Sequence, residues 1–235
     1  MRLIVKREPP QFLLSKQYEA ARRGLNAAEA YRLLNHRDKQ RLLESLLREQ
    51  GHLCAYCMRR LPDEREMPEN IDPVTIEHWL PRNPSDGVQN GQGLDYFNLL
   101  AVCSGNRGRR GTRRIGDLTC DARRAPDHEQ LTLNPCVAAT LEHIKYREDG
   151  IMYSDDPDIH DDITVKLNLN CNSAAVQLPE VRRMVLEAMQ AEIPDSPEEA
   201  EQFCREVLDM YSAEADPRTE YSGILIWWLK DFLRE

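Results

Sequence analysis

No apolar run in this 235-residue chain approaches the roughly 20 residues that a membrane-spanning helix needs. The opening stretch from Met1 to Pro10 has too short an apolar core for a secretory signal. Internal repeats are absent. An even set of cysteines is missing too: there are seven, at 54, 57, 103, 120, 136, 171 and 204. An odd count in a reducing compartment argues against a disulfide framework and makes metal binding the better account of any close pair. The expectation is a cytoplasmic globular protein, and 41% hydrophobic with 30% charged residues is ordinary for one.

A positive balance is missing overall: 40 acids outnumber 31 Lys and Arg, for a net charge of −9. Its distribution matters more. Residues 102–125 hold seven arginines (107, 109, 110, 113, 114, 123 and 124) and two acids, so this segment carries +5 and the remainder −14. A local basic stretch on an acidic chain is a candidate phosphate-binding surface. The acidic remainder disfavours indiscriminate sticking to nucleic acid and suits a basic partner.

Three segments follow from composition. Residues 1–50 read as an extended, proline-blocked start to about residue 15 and then mostly helix, with Leu42, Leu43, Leu46 and Leu47 as an apolar stripe and Asn35 or Asp38 as a cap. Residues 51–135 are rich in glycine, proline, arginine and cysteine, with strand-like pieces at 74–76 and 99–102. Residues 136–235 return to helix: a short one within 136–146, a strand-like piece at 151–153, an acidic loop at 155–162, and helical character from 167. Helices are expected at 178–193, from Ser196-Pro197 to about 212, and at 221–233.

Cys54-Ala-Tyr-Cys57 has the spacing with which two thiolates grip one zinc from a tight turn. A structural site needs two more ligands. Cys103 and Cys120 are the candidates, because both lie in the same module. A buried apolar Cys103 and a loop Cys120 are the plainer alternative, with His128 as a substitute ligand. Cys136, Cys171 and Cys204 read as packed thiols.

Between the cysteines come Thr75-Ile-Glu77-His78-Trp-Leu-Pro81, then Asp95-Tyr-Phe-Asn98-Leu-Leu-Ala-Val-Cys103, then Cys120-Asp121-Ala-Arg-Arg124. This order resembles the HNH nuclease family. The resemblance implies an α+β, mainly helical fold: a central ββα-metal module, treble-clef-like and zinc-stabilised, flanked by N- and C-terminal helices. It implies a metal-dependent endonuclease in which Glu77 and Asp121 hold a catalytic Mg²⁺ or Mn²⁺. His78 is then the general base and Asn98 holds the histidine loop, while Cys54, Cys57, Cys103 and Cys120 bind structural zinc. Arg107, Arg109, Arg110, Arg113, Arg114, Arg123 and Arg124 would contact nucleic acid. The chain departs from the pattern in three places. Glu77 stands where aspartate is usual, and Asp121 where histidine or asparagine is usual. Asn106 stands where a second C-x2-C would have its cysteine, so a 16-residue loop, 104–119, separates Cys103 from Cys120.

The flanks are similar to a narrower group, the PtuB-type HNH subunits of Septu phage-defence systems, including those attached to retrons. The shared features are a short basic proline-containing start, the stretched Cys103 to Cys120 loop, the Leu133-Asn-Pro135 that follows, and Leu167-Asn-Leu-Asn170. That similarity implies a PtuA-type ABC ATPase partner, in retron cases a reverse transcriptase–msDNA complex, and DNA or RNA as target. Trp227 and Trp228 in the last helix fit either core packing or a docking surface for such a partner.

Overall fold

Proline opens the first helix rather than delaying it. In the computed structural model, which describes residues 1–62, 74–82, 93–107, 115–124, 130–173 and 176–234, α1 runs Gln11–Arg22 directly after Pro10. The backbone of Pro10 sits at φ −57°, which suits a helix entrance, where a missing N–H costs nothing. The extended start therefore ends at 10 rather than 15.

Two short-range signals then set the next helices. α2 (Ala27–Tyr31) and α3 (His36–Gln50) each begin with an asparagine cap closed by an acid three residues on: Asn26 with Glu29, and Asn35 with Asp38. Each box satisfies two otherwise unpaired N–H groups. Leu42, Leu43, Leu46 and Leu47 turn the α3 stripe into the core; each buried leucine stabilises the fold by roughly 1.5–3 kcal/mol.

β1 (Val74–His78) and β2 (Leu99–Cys103) form an antiparallel pair, with Val74 opposite Cys103 and His78 opposite Leu99. Every residue of β2 is buried. At the outer edge of β2, Ala101 O accepts from Ala55 N at 3.1 Å. Gln50 completes that edge: its amide accepts from Ala101 N and donates to Ala101 O, both at 2.8 Å, and also donates to Leu53 O at 2.8 Å. One side chain thus joins the end of α3 to the hairpin. α4 (Cys120–Arg124) follows and packs on β2.

The C-terminal half is α5 (Ala138–Glu142), the pair β3 (Lys145–Tyr146) and β4 (Met152–Tyr153), and α6 (Pro157–Asp161). Then come the pair β5 (Asn172–Ser173) and β6 (Val176–Gln177), α7 (Leu178–Gln190), α8 (Pro197–Ala213) and α9 (Ser222–Leu233). The acidic stretch expected as a loop is mostly helix. Asp156 caps α6 by accepting from Asp158 N and Ile159 N, Pro157 takes the first turn, and the helix continues as a π turn over Asp162–Lys166. Residues 167–173 and 176–177 are turn and short strand instead of helix, which resumes only at Leu178. Asp162, fully buried, accepts from Thr132 N and Leu133 N and pairs with Lys166 at 2.8 Å, binding this half to the segment after α4.

The fold is α+β, dominated by helices, with three two-stranded sheets among the described residues. The three segments marked out by composition share one buried core. No helix of the described residues is long and apolar enough to cross a membrane. Trp227 and Trp228 are partly buried. Trp228 stacks on Phe232, and both tryptophans line an open cleft with Arg147, Glu148, Asp149 and Asp231.

Candidate functional site

Cys54 and Cys57 sit in the turn after α3, where Met58 N donates to Cys54 O at 3.0 Å and Cys54 N to Arg59 O at 2.9 Å. Cys103 ends β2 and Cys120 starts α4. Their four Sγ atoms lie within 4.8 Å of one another, all buried. The closest pairs are Cys54–Cys120 at 3.9 Å, Cys57–Cys103 at 3.8 Å and Cys103–Cys120 at 3.8 Å. A tetrahedral Zn–S bond of about 2.3 Å separates its sulfurs by roughly 3.8 Å. Cys103 N also points at Cys54 Sγ, 3.4 Å away, an N–H···S contact that favours a thiolate. The donor set and its spacing fit a zinc-like metal ion. Among the described residues it is the one group of three or more Cys, His, Asp or Glu side chains close enough to share an ion.

The residue that makes the long loop workable is Asn106. It is fully buried and left-handed at φ 70°. Its amide donates to Asp117 O at 3.0 Å and Thr119 Oγ1 at 3.3 Å, and accepts from Arg59 at 3.3 Å. Gly105 O takes Thr119 N at 3.1 Å. A Cβ on Gly105 would fall 2.0 Å from Thr119 O. The two ends of loop 104–119 are therefore clamped together, which brings Cys120 back to Cys103.

β1 ends in Glu77 and His78, both nearly out of water at 7% and 5% exposure. Glu77 pairs with Arg124 of α4 at 2.6 Å. The same guanidinium donates to Trp79 O at 2.6 Å and reaches His78 O at 3.4 Å. Burial first, and then the charge and hydrogen bond of the Asp121 carboxyl, push the Glu77 carboxyl well above the usual carboxylate range. Asp121, with a side chain 20% exposed, also meets Arg107 at 3.6 Å. The hairpin and the helix thus press two acids together, with one arginine behind them.

The His78 ring is held by two contacts. Its Nε2 lies 3.0 Å from Gly93 O. A carbonyl only accepts, so Nε2 carries the hydrogen and Nδ1 the lone pair. Tyr31 meets the ring edge-on at 4.7 Å. Burial, foremost, lowers the imidazole pKa to about 4, so the neutral ring prevails near pH 7. Gly93 is itself fixed by the N-terminal helices: Gln17 donates to Leu94 O at 2.8 Å, and a Cβ on Gly93 would fall 1.9 Å from Ala27 O at the start of α2. Asn98 secures the other side of the loop. Its amide accepts from Leu80 N at 2.6 Å and donates to Leu80 O at 3.1 Å, while its carbonyl takes Trp79 N at 2.9 Å.

Expectation and structure can be matched residue by residue. The four cysteines come together, and so do Glu77 and Asp121. Asn98 grips the histidine loop. His78 stands beside this pair but turns Nε2 to Gly93, and it is less open to solvent than a base facing bulk water. Arg124, grouped by sequence with the phosphate-binding arginines, is 4% exposed and spends its guanidinium inside the site. Arg123 donates to Val165 O at 3.1 Å and Arg107 is exposed. Arg109, Arg110, Arg113, Arg114 and His128 lie outside the described residues. Gln50 and Tyr56 went unnoticed in the sequence, and Asn106 was noticed only as a departure from the cysteine pattern. Tyr56 lies within the C-x2-C turn, fully buried, with a hydroxyl that has no hydrogen-bond partner among the described residues. Glu77, Arg124 and Asp121 are the charged groups that act on it most strongly.

No protein-family model matches the chain, and no curated protein matches it.

Proposed function

We propose that the chain is a metal-dependent endonuclease of the HNH kind, hydrolysing phosphodiester bonds of nucleic acid. One observation carries this reading: Glu77 at the end of the hairpin and Asp121 at the start of α4 share a site beside a neutral imidazole, on a scaffold held by four clustered thiols. Two acids brought together, the Glu77 carboxyl held above its usual range, form a donor set that suits a hard divalent cation. Glu77 and Asp121 would hold Mg²⁺ or Mn²⁺, which supplies charge neutralisation at the scissile phosphate and the leaving oxygen.

The chain's own groups do the rest. Arg124 fixes the Glu77 carboxylate and the His78–Trp79 carbonyls in one geometry. Gly93 O fixes the tautomer, so Nδ1 of His78 is the atom that takes a proton from the attacking water. Asn98 keeps that loop from drifting. The resemblance to PtuB-type subunits extends the reading to a cytoplasmic phage-defence effector under the control of an ABC-type ATPase. The half-buried tryptophans of α9 suit such a docking role.

A second reading has its own support. The depth of His78 and its bond to Gly93 O also suit a zinc-stabilised adaptor that binds an ATPase or nucleic acid without cutting. The two are separated by incubating the chain with DNA and total tRNA in Mn²⁺, with and without the ATPase. The nuclease reading expects cleavage that His78→Ala removes while zinc content and helicity persist. Cleavage at the wild-type rate in His78→Ala, or none under any condition, leaves the adaptor.

A further inference from the structure

Charge follows the chain unevenly. Residues 1–60 hold thirteen Lys and Arg against six Asp and Glu, a net +7, whereas residues 130–235 hold nine against twenty-two, a net −13. The basic part includes α2 and α3, and α2 walls the site through Ala27 and Tyr31.

Tyr31, the last residue of α2, gathers three groups. Its ring meets His78 edge-on at 4.7 Å. The Arg82 guanidinium lies 4.5 Å from the ring centroid and Lys39 Nζ of α3 lies 5.0 Å from it. Among the described residues no carboxylate pairs with either cation. An aromatic face orients a cation through its quadrupole but does not cancel its charge, as a carboxylate would. The result is a pair of positive charges anchored on one ring, with the imidazole in T-shaped contact with that same ring. A phosphodiester is the anion that such a pair beside a hydrolytic site suits.

We infer that Tyr31, Lys39 and Arg82 form a phosphate-binding subsite that holds the nucleic-acid backbone beside His78. This deepens the nuclease reading and rests on it for the identity of the ligand. It places a contact surface on the N-terminal helices, outside the arginine-rich segment that the sequence marked.

The test is binding of the full chain, without added divalent cation, to fluorescent 20-nucleotide single-stranded DNA, RNA of equal length, and duplex DNA across a salt series. The Lys39→Ala/Arg82→Ala variant should weaken all three alike and flatten the slope of log Kd against log salt by about 1.4–1.8, the value for two lost phosphate contacts. Lys39→Gln alone, at an exposed residue, should give about half that change and keeps the test sound if the double variant misfolds. Lys145→Ala, at a lysine paired with Asp155, should change nothing. An unchanged slope, or a wild-type chain that binds none of the probes, overturns the subsite. Inorganic phosphate competing as well as the strand at equal phosphate concentration overturns the strand reading. Cleavage that depends on His78 but keeps its KM in the double variant removes the subsite and leaves the nuclease. Slope loss in a chain that never cleaves does the reverse.

Discussion

Arg124 donates to Glu77 Oε1 at 2.6 Å with both side chains nearly excluded from solvent, 3% and 8% exposed. The same guanidinium supports the Trp79 carbonyl. Removing one member of such a pair leaves an uncompensated buried charge. Arg124→Ala is expected to lower stability by about 3 kcal/mol and to abolish cleavage. Arg124→Lys should recover part of the stability but little activity, since a lysine cannot span the carboxylate and both carbonyls. Denaturant unfolding with activity on the same samples checks this. Wild-type stability in Arg124→Ala would show the pair to be incidental.

Gly93→Ala places a methyl group 1.9 Å from the backbone oxygen of Ala27. Neither partner is a flexible side chain, so α2 or the segment carrying Gly93 O must move. The expected cost is about 2–3 kcal/mol, with displacement of the imidazole and a fall in kcat beyond what the lost stability explains. Thermal melts and NMR of the His78 ring would show it.

Purified protein should contain about one zinc per chain. Cys54→Ser/Cys57→Ser should lose it, and a strong chelator should strip it with loss of cooperative unfolding. Zinc retained by the double variant would move the site elsewhere.

Tyr56→Phe removes a hydroxyl that is buried without a partner among the described residues. A buried unpaired polar group costs about 1–3 kcal/mol, so this variant should melt a few degrees higher than the wild type in metal-analysed, zinc-replete samples. A lower melting temperature would mean that the hydroxyl has a partner in solution.

The thiol cluster was more legible in the sequence than the framework around it. C-x2-C spacing, two further cysteines and an acid–histidine pair are local signals, and the thiols gather as expected. Helices with strong caps, such as α3 behind Asn35, were equally plain. What stayed hidden depends on partners far away in sequence. Arg124 reads as one more arginine in a basic run until its bond to Glu77, 47 positions earlier, is known. Gln50 looks like a polar helix end, yet it completes the edge of β2 at a separation of 51 residues. Asn106 looks like a missing cysteine, and its real work is to close a loop. The acidic run at 155–162 misled because charge suggests a loop, while Asp156-Pro157 is a helix entrance.

Residues 1–9 form no regular element, yet they bond across the molecule. Ile4 N donates to Pro135 O, Lys6 to Leu99 O, Arg7 N to Glu49, and Arg2 to Ser222, while Arg218 donates to Leu3 O. Residues 1–9 therefore find their full set of partners only once Ser222 has been made. The thiol cage, complete at residue 120, can close around its ion well before that. The belt around it tightens later, and such long-range closure slows folding.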